Sequence, residues 1–362
     1  MRALRIYAGP AARQHIERNG LQAADVGAVP AAAGGPKGLI LGPLDRFLFG
    51  EWLPRTDHTI HLVGASIGAW RMATACLREP VQAFERLERD YIAQDYDLPP
   101  GRKAPTPAHV SQRFSEGLEA FYGGRVQEVL SHPRFRLHVV TARGRHVLGR
   151  EHRIGTPLGY LGAFLSNALH RKAMGGWLER VVFSAPEHGA PCPLPFGTED
   201  FPTRQVALTE ANFHPALQAS CSIPFVLQAV HDIPGAPKGA YWDGGITDYH
   251  LHLQYACGPG PGLVLYPHFQ KSVVPGWLDK GLKWRHRATP FLDRMVVLAP
   301  DPAWVATLPN AKLPDRTDFA RYAKDLQGRI AAWTAAASAS RQLAEEFAQW
   351  VEKPDVGRVE PL

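Results

Sequence analysis

Cysteines, long apolar runs and secretion signals are scarce or missing in this chain. Its 362 residues include four cysteines, and none of them forms a CxxC pair. This usage indicates reduced thiols in a cytoplasmic protein rather than a disulfide framework. No window holds about 18 consecutive apolar residues, so no segment is predicted to span a bilayer. The N-terminus also lacks the apolar core of a signal peptide.

The spacings that mark metal and nucleic-acid sites are missing as well. No HExxH pattern occurs, and we expect neither a metal nor another cofactor. No helix-turn-helix or zinc-finger spacing occurs, so nucleic acid is not an expected partner. The formal net charge is +6. That mild excess of positive charge suits anionic surfaces such as phospholipid headgroups.

The first part of the chain repeats the order strand, glycine turn and helix. Residues 26–33 are small and apolar, and the turn GGPKG and a helical pattern follow them. Residues 59–63 form a short β-branched run, and a second glycine turn and a helix at 67–77 come next. This order predicts an α/β fold with a mainly parallel sheet sandwiched by helices. Further strands are predicted at 135–141, 181–184, 205–209, 240–242, 263–266 and 294–298.

No composition shift separates two domains. We therefore expect one α/β domain over residues 1–315 and a helical C-terminal extension over 316–362 packed on it. A helical insertion is predicted at about 81–132, with two helices around the proline-rich loop 97–107. The insertion either covers an acyl pocket as a lid or packs as ordinary helices, and the sequence leaves this open.

The first candidate site residue is Ser66, in the pentapeptide Gly64-Ala65-Ser66-Ile67-Gly68. A G-x-S-x-G sequence between a strand and a helix permits a sharp turn, since Gly64 and Gly68 leave room for close backbone approach. The serine hydroxyl then projects from the turn at the positive end of the helix, as a nucleophile would. A serine that merely caps the helix is the alternative interpretation.

The second candidate is the turn Gly34-Gly35-Pro36-Lys37-Gly38. Successive glycines let backbone amides point into one concavity that holds an anion, as an oxyanion hole requires. Pro36 has no amide hydrogen, so the donors must come from Gly34, Gly35 or beyond, with Lys37 adding charge. The phosphate-loop spacing is absent. A plain turn with a solvated lysine remains the alternative.

The third candidate is Asp243, in Trp242-Asp243-Gly244-Gly245. Alone, an aspartate before two glycines is typical of a turn. Together, the glycine turn, the G-x-S-x-G sequence and the D-G-G sequence resemble the patatin-like acyl hydrolases in order and spacing. That resemblance covers about residues 26–250. It implies a nucleophilic Ser66, an Asp243 that takes its proton without a histidine, and an oxyanion hole at Gly34, Gly35, Lys37 and Gly38.

The chain departs from the family pattern in the glycine turn. Ala32 and Ala33 stand where the family has aspartate and glycine. A further segment, residues 219–225, resembles in part the family stretch that lines the site before the aspartate strand. The altered turn is the one feature that favours a second hypothesis, a non-catalytic lipid-binding or regulatory protein on the same fold.

The proton acceptor has an alternative as well. Ordinary α/β-hydrolases run serine, aspartate, histidine along the chain. Such a triad can be assembled here from Ser66, one of Asp232 and Asp243, and one of His250, His252, His268 and His286. None of these histidines lies in a distinctive motif, whereas Asp243 does, and the Ser66–Asp243 pair is favoured.

The sequence therefore predicts a serine acyl hydrolase that cleaves carboxylic esters of lipids through an acyl-enzyme. The expected substrate is a lipid or another acyl ester. Residues 275–287 mix tryptophans with lysines and arginines, a pattern found at membrane interfaces. A surface segment whose tryptophans pack on the core would give the same pattern. We expect a cytoplasmic protein, with peripheral membrane contact as an open question.

Overall fold

Thirteen strands occur in the computed structural model, which describes residues 1–96, 105–257 and 262–362. Eleven of them belong to one sheet, and β6 and β7 form a separate hairpin. The strands are β1 Leu4–Ala8, β2 Val26–Ala31, β3 Ile60–Ala65, β4 Phe135–Gly144, β5 Leu178–Ser184, β6 Pro186–Glu187, β7 Ala190–Pro191, β8 Thr203–Ala207, β9 Val230–His231, β10 Ala240–Asp243, β11 Leu263–Pro267, β12 Met295–Pro300 and β13 Val359–Pro361.

The helices of the described ranges flank this sheet. They are α1 Pro10–Asn19, α2 Gly42–Phe47, α3 Ile67–Ala75, α4 Pro80–Ile92, α5 Pro107–Tyr122, α6 Val126–Leu130, α7 Gly155–Leu169, α8 Glu210–Cys221, α9 Gly245–Asp248, α10 Pro302–Val305, α11 Thr317–Arg321, α12 Leu326–Ala339 and α13 Arg341–Glu352. A 3₁₀ helix, Gly35–Leu41, contains most of the first glycine turn. None of these helices combines the length and the apolarity needed to cross a bilayer.

The sheet is mainly parallel, as the sequence predicts. Its strand order is β13-β1-β12-β11-β2-β3-β4-β10-β9, and β5 and β8 extend from β4. The five strands from β12 to β4 run parallel to one another. Every residue of β2, β11 and β12 is buried. Strands covered on both faces by helices read as continuous apolar runs, which explains the lack of alternation in their sequences.

One edge of β4 brings distant parts of the chain together. β3 pairs with this edge in parallel and ends with Ala65 opposite Val140. β10 continues along the same edge in the antiparallel direction and ends with Asp243 opposite Thr141. The carboxyl ends of β3 and β10 therefore meet head to head, at adjacent positions of β4. The residue that follows Ala65 is Ser66, so the register itself brings Ser66 next to Asp243.

Several elements differ from the predictions. β1, α1, α7 and β13 were not predicted; β13 pairs with β1, which joins the two ends of the chain at one sheet edge. The second of the two helices predicted in the insertion is in fact two helices, α5 and α6, because Gly123 and Gly124 separate them and Gly124 has φ +72°. Residues 97–104 of the predicted proline-rich loop lie outside the described residues.

Two buried ion pairs fix elements beside the candidate site. The Arg180 guanidinium donates to both carboxylate oxygens of Asp248, at 2.7 and 2.6 Å, which attaches α9 to β5. The Arg71 guanidinium donates to both oxygens of Asp45, at 2.7 Å each, which attaches α3 to α2. Breaking such a buried pair leaves an uncompensated charge, so each is a strong positional constraint.

Candidate active site

Ser66 occupies a sharp turn between β3 and α3. Its backbone has φ +57° and ψ −132°, a region that non-glycine residues rarely adopt. Gly64 and Gly68 make the turn possible. A methyl group on Gly64 would lie 2.3 Å from the Ala69 Cα, and one on Gly68 would lie 1.9 Å from the Ala31 carbonyl oxygen. The backbone therefore excludes any larger residue at both positions.

Asp243 lies in hydrogen-bond contact with Ser66. The Ser66 hydroxyl donates to Asp243 Oδ2 over 2.7 Å, although the two residues are 177 positions apart in the chain. The second carboxylate oxygen, Oδ1, accepts from the Gly245 amide at 2.7 Å. Both side chains are buried. The carboxylate is thus held by one backbone donor, and its other oxygen is directed at the serine.

Burial changes the basicity of this carboxylate. Loss of hydration raises the pKa of Asp243 to about 6, against the opposing effects of the Ser66 hydrogen bond, the Arg316 charge and the Gly245 amide. A buried carboxylate is a stronger base than one in water because the charged form is destabilised. The group is therefore ionised near neutral pH and yet able to accept a proton.

Ser220 holds the two strand ends in register. Its hydroxyl accepts from the Ser66 amide at 2.9 Å and donates to the Val140 carbonyl at 2.7 Å. The Ser220 carbonyl accepts from the Gly244 amide at 3.2 Å. The sequence pattern of residues 219–225 indicates a segment that lines the site, but it does not predict this bridging position for Ser220. The Ser66 amide is consequently occupied and does not serve as an anion donor.

The first glycine turn lies beside Ser66 and Asp243. Gly34 and Lys37 line a cavity with Asp243, whereas Gly35 lines a second cavity with Ser66. Gly35 has φ +57°, a conformation that favours glycine. Gly38 packs against the start of α3; a methyl group there would contact the Ile67 side chain at 3.6 Å.

Ala33, one of the two alanines that replace family residues, has structural partners. The Ala33 amide donates to the Tyr249 carbonyl at 3.0 Å, so it is not available to an anion. A methyl group on Gly245 would approach the Ala33 Cβ to 2.6 Å, which shows that the Ala33 methyl fills space left by that glycine. Among the described residues, the Gly34 amide and the Ile67 amide have no hydrogen-bond partner. Helix α3 leaves its first amides unpaired, as every helix does.

Two cavities of different character meet at this site. One, of about 340 Å³, contains Ser66 and has mostly apolar walls, to which α4 and α5 contribute Tyr91, Val110 and Phe114. The other, of about 210 Å³, contains Asp243 and the side chains of Lys37, Lys280 and Arg316. Arg316 and Ile223 line both cavities. The hydroxyl and the carboxylate thus lie at the boundary between an apolar and a cationic space.

The four histidines of the alternative triad bond elsewhere. Their ring nitrogens bond to Ser272, Val273, Thr289, Gln270 and Asp279. Within the described ranges, no histidine is hydrogen-bonded to the side chain of Ser66 or Asp243. Burial lowers the pKa of His250, His252 and His268, so these rings are neutral. The alternative aspartate, Asp232, is exposed and caps a turn by accepting from the Gly239 amide.

One group of side chains in the described ranges has the spacing of metal ligands. The ligand atoms of His61, His138 and Cys192 lie within 4.8 Å of one another. His61 Nδ1 and His138 Nε2 are 3.0 Å apart, a hydrogen-bond distance. His61 is the second residue of β3 and lies five residues before Ser66, about 16 Å along an extended chain. This cluster is therefore separate from the Ser66–Asp243 site.

The turn, the carboxylate and the sheet define a class: α/β proteins with a serine on a strained strand-to-helix elbow at the carboxyl edge of a largely parallel sheet. A family model described as Patatin-like phospholipase matches residues 34–250, more than half of the chain. The chain belongs to the patatin-like phospholipase family. Comparisons with curated proteins and with solved structures gave no match. Family membership supports a lipid hydrolase in general.

Proposed function

We propose that this protein is a serine esterase that cleaves carboxylic esters of lipids, with Ser66 as nucleophile and Asp243 as its only proton acceptor. The observation that carries this proposal is the 2.7 Å hydrogen bond from the Ser66 hydroxyl to a buried Asp243 carboxylate. A nucleophile and its base within hydrogen-bond reach, the base oriented by a further group, is the arrangement that covalent catalysis requires. Here the Gly245 amide orients the base.

The first half of the reaction forms an acyl-enzyme. Ser66 Oγ attacks the acyl carbon while its proton passes to Asp243 Oδ2. The tetrahedral intermediate then collapses, the bond to the leaving alcohol breaks, and Asp243 gives its proton to that alcohol. In the second half a water replaces the alcohol: Asp243 takes a proton from the water, the hydroxide attacks the acyl carbon, and Ser66 leaves with the proton. A base with a pKa near the working pH suits both directions of transfer.

The oxyanion is held by backbone amides. The Ile67 amide at the start of α3 and the Gly34 amide of the glycine turn are the donors that we propose, because neither has another partner among the described residues. An amide on the residue after the nucleophile and one from a neighbouring turn form the usual pair in α/β hydrolases. Lys37, in the same turn, adds positive charge beside them. Gly38 keeps the turn close to α3.

The apolar cavity is the proposed acyl pocket. It opens directly onto Ser66, and its walls include residues of the insertion at about 81–132 and, from the C-terminal segment, Phe319. We further propose that residues 316–362 form one functional unit with the domain at 1–315, since β13 adds a strand to the main sheet. On this view the insertion and the extension both shape the site.

We also propose that an anionic lipid surface contacts α7. Its leucines at 158, 161, 165 and 169 are each more than half exposed. No carboxylate occurs within the helix, and Arg150, Arg153 and Lys172 flank it as exposed cations. Exposed Phe225 contacts α7 through Tyr160, and its neighbour Val226 lines the acyl cavity. Apolar side chains beside cations favour an interface between headgroups and acyl chains.

The segment at 275–287 contributes only in part to such a surface. Trp277 and Trp284 are exposed, as membrane contact requires. Arg285, however, donates to Asn167 of α7 and to buried Asp279, at 3.1 and 2.8 Å. That arginine fixes the segment against α7 and is not directed at a partner.

Ester hydrolysis by purified variants tests the proposed function. Ser66→Ala and Asp243→Asn should each lower kcat/KM for a medium-chain acyl ester by about a thousandfold or more, since loss of either ends covalent catalysis. Asp232→Asn, the same chemical change on an exposed turn, should retain activity. If His250→Gln, His252→Gln, His268→Gln or His286→Gln were as inactive as Asp243→Asn, the assignment of Asp243 as the only proton acceptor would be wrong. Lipid binding without turnover by the unmodified protein would favour the non-catalytic alternative.

A further inference from the structure

Three side chains of the kind that bind metal ions meet near the start of β3, at the end away from Ser66. His61 lies on β3, His138 lies on β4, and Cys192 follows β7. In the pairing of β3 with β4, His61 stands opposite Arg136, two positions before His138. Since alternate residues of a strand point to the same face, both imidazoles lie on one face of the sheet. The β6–β7 hairpin then brings Cys192 against His138.

The distances within this group fit a tetrahedral metal ion. Around zinc, two nitrogen ligands lie about 3.3 Å apart, and a nitrogen and a sulfur ligand about 3.6 Å apart, given the usual bond lengths. Here His61 Nδ1 lies 3.0 Å from His138 Nε2, and Cys192 Sγ lies 3.5 Å from the same nitrogen. All three ligand atoms lie within 4.8 Å of one another. One ion placed among them therefore reaches all three after small side-chain movements.

Hydrogen bonding alone accounts poorly for this arrangement. His61 Nδ1 and Cys192 Sγ both approach a single atom, His138 Nε2. A neutral imidazole nitrogen either donates one hydrogen or accepts with one lone pair, so it serves one of these two neighbours and not both. Burial lowers the pKa of both imidazoles, that of His61 to about 4, so the rings are in the neutral form that binds metals. A shared ion satisfies all three atoms at once.

A shared set of hydrogen bonds holds two of the three ligands in place. His138 Nδ1 lies 2.9 Å from the hydroxyl of Ser184, its direct partner on β5. The side-chain amide of Gln205 donates to that hydroxyl at 2.9 Å and to the Cys192 carbonyl at 2.6 Å. The Cys192 amide donates to the Ala185 carbonyl at 2.9 Å. Contacts of this kind behind the ligands orient them for a metal, and here they leave His138 Nε2 directed at the group.

The surroundings of the group admit a divalent cation. His138 and Cys192 are buried, whereas His61 is only partly buried and gives solvent a route to the group. The neighbouring ion pair, Arg136 with Glu187 at 3.1 Å, has no net charge and so neither attracts nor repels an ion strongly. Two imidazoles and a thiolate are ligands that Zn²⁺ prefers. Within the described ranges the group has three members, so water would take a fourth position.

We propose that His61, His138 and Cys192 form a zinc site that fastens the β6–β7 hairpin to β3 and β4. Burial raises the pKa of the Cys192 thiol to about 12, so the charge of the ion must displace its proton, which passes to solvent as the zinc–sulfur bond forms. The expectation of no metal depends on local spacings such as HExxH. Ligands 77 and 54 positions apart give no such signal. Since the group is separate from Ser66 and Asp243, this inference does not depend on the proposed function.

Zinc binding by the full chain tests this inference. After treatment with a chelator and dialysis, the wild-type protein should bind one Zn²⁺ per chain in calorimetry. Cys192→Ala should weaken that binding by about a hundredfold or more, because it removes the thiolate ligand. Cys257→Ala removes a thiol that lies outside the group and should bind as wild type does. Absence of binding by wild type, or equally tight binding by Cys192→Ala, would overturn the proposal.

Cobalt absorption identifies the ligands and covers the case in which Cys192→Ala does not fold. Co²⁺ bound to wild type in place of Zn²⁺ should show the thiolate-to-cobalt band and the visible bands of a tetrahedral ion. His61→Gln keeps a polar side chain at a partly buried position and should lose the tetrahedral bands. Zn²⁺ should also raise the Tm of wild type more than that of His61→Gln, since only a tightly bound ion stabilises the folded state. A cobalt spectrum without the thiolate band, or one unchanged in His61→Gln, would mean that the ion binds elsewhere and would overturn the site.

Discussion

At the scale of single residues, the central feature is a carboxylate in an unfavourable environment. Asp243 is buried with two hydrogen-bond donors, and no cation of the described ranges lies within salt-bridge distance of it. Its raised pKa is the thermodynamic consequence of that burial. A structural role alone would be served as well by asparagine, which has no charge to desolvate. The burial of an ionisable group beside a strained serine therefore indicates chemistry more than stability.

This burial predicts a pH-dependent gain in stability for Asp243→Asn. The folded pKa, about 6, lies above the ordinary value of 3.8. The folded state consequently binds more protons between those values, and wild-type stability falls as pH rises through that window. Asparagine avoids this penalty. The variant should exceed wild type in free energy of unfolding by on the order of 2 kcal/mol at pH 8, and by little at pH 4.

Urea unfolding at the two pH values measures this difference. Asp232→Asn is the matched control, since it removes one carboxylate from an exposed turn and should show no comparable gain. A destabilised Asp243→Asn protein at pH 8 would mean that the hydrogen bonds of the carboxylate outweigh its desolvation.

At the scale of elements, the site depends on how two strands meet on a third. The serine turn could be predicted, because the spacing of Gly64 and Gly68 reflects a local steric requirement. The head-to-head meeting of β3 and β10 could not, because the register of both strands on β4 is a long-range property. The order of motifs indicated that Ser66 and Asp243 belong together, and the sheet supplies the physical reason. Ser220 was missed as a bridge because a serine in an apolar helix carries no distinctive pattern.

The turn at Ser66 predicts that glycine substitutions differ sharply in their effect on stability. Gly64→Ala and Gly68→Ala place a methyl group against backbone atoms that cannot move independently. We expect each to lose about 3 kcal/mol or more of stability, or to fail to fold. Gly117→Ala, on the exposed face of α5 with nothing within 4 Å of the new methyl, should instead gain up to about 1 kcal/mol. Thermal unfolding of the three variants provides the comparison, and similar losses in all three would contradict the steric argument.

At the scale of the whole molecule, the site is assembled from segments spread over most of the chain. The core of the fold was predictable because buried parallel strands alternate with helices in sequence. The cationic cavity was not, since Lys280 and Arg316 lie in segments without a motif and only tertiary packing brings them to Lys37. Helix α7 was missed because its exposed leucines break the usual pattern of one apolar and one polar face.

The exposed face of α7 predicts lipid binding that depends on apolar area and charge. Leu161→Glu/Leu165→Glu should weaken sedimentation with anionic vesicles at least tenfold, because the new charges cannot enter the interface. Val81→Glu, on α4, is the control and should bind normally. Wild-type binding should also weaken at high salt. If vesicle binding persisted while the double variant changed a dimer into a monomer, a second copy of the chain would be the true partner of this face.

The most direct test of the account measures how fast a fluorophosphonate modifies Ser66, as a function of pH, with the modified peptide identified by mass spectrometry. The account predicts one label per chain, on Ser66, at a rate that rises through a midpoint near pH 6 as Asp243 ionises. The rate should fall at least a hundredfold in Asp243→Asn and stay close to wild type in Asp232→Asn. Labelling of another residue, or rapid labelling of Ser66 in Asp243→Asn, would contradict the claim that this aspartate activates this serine.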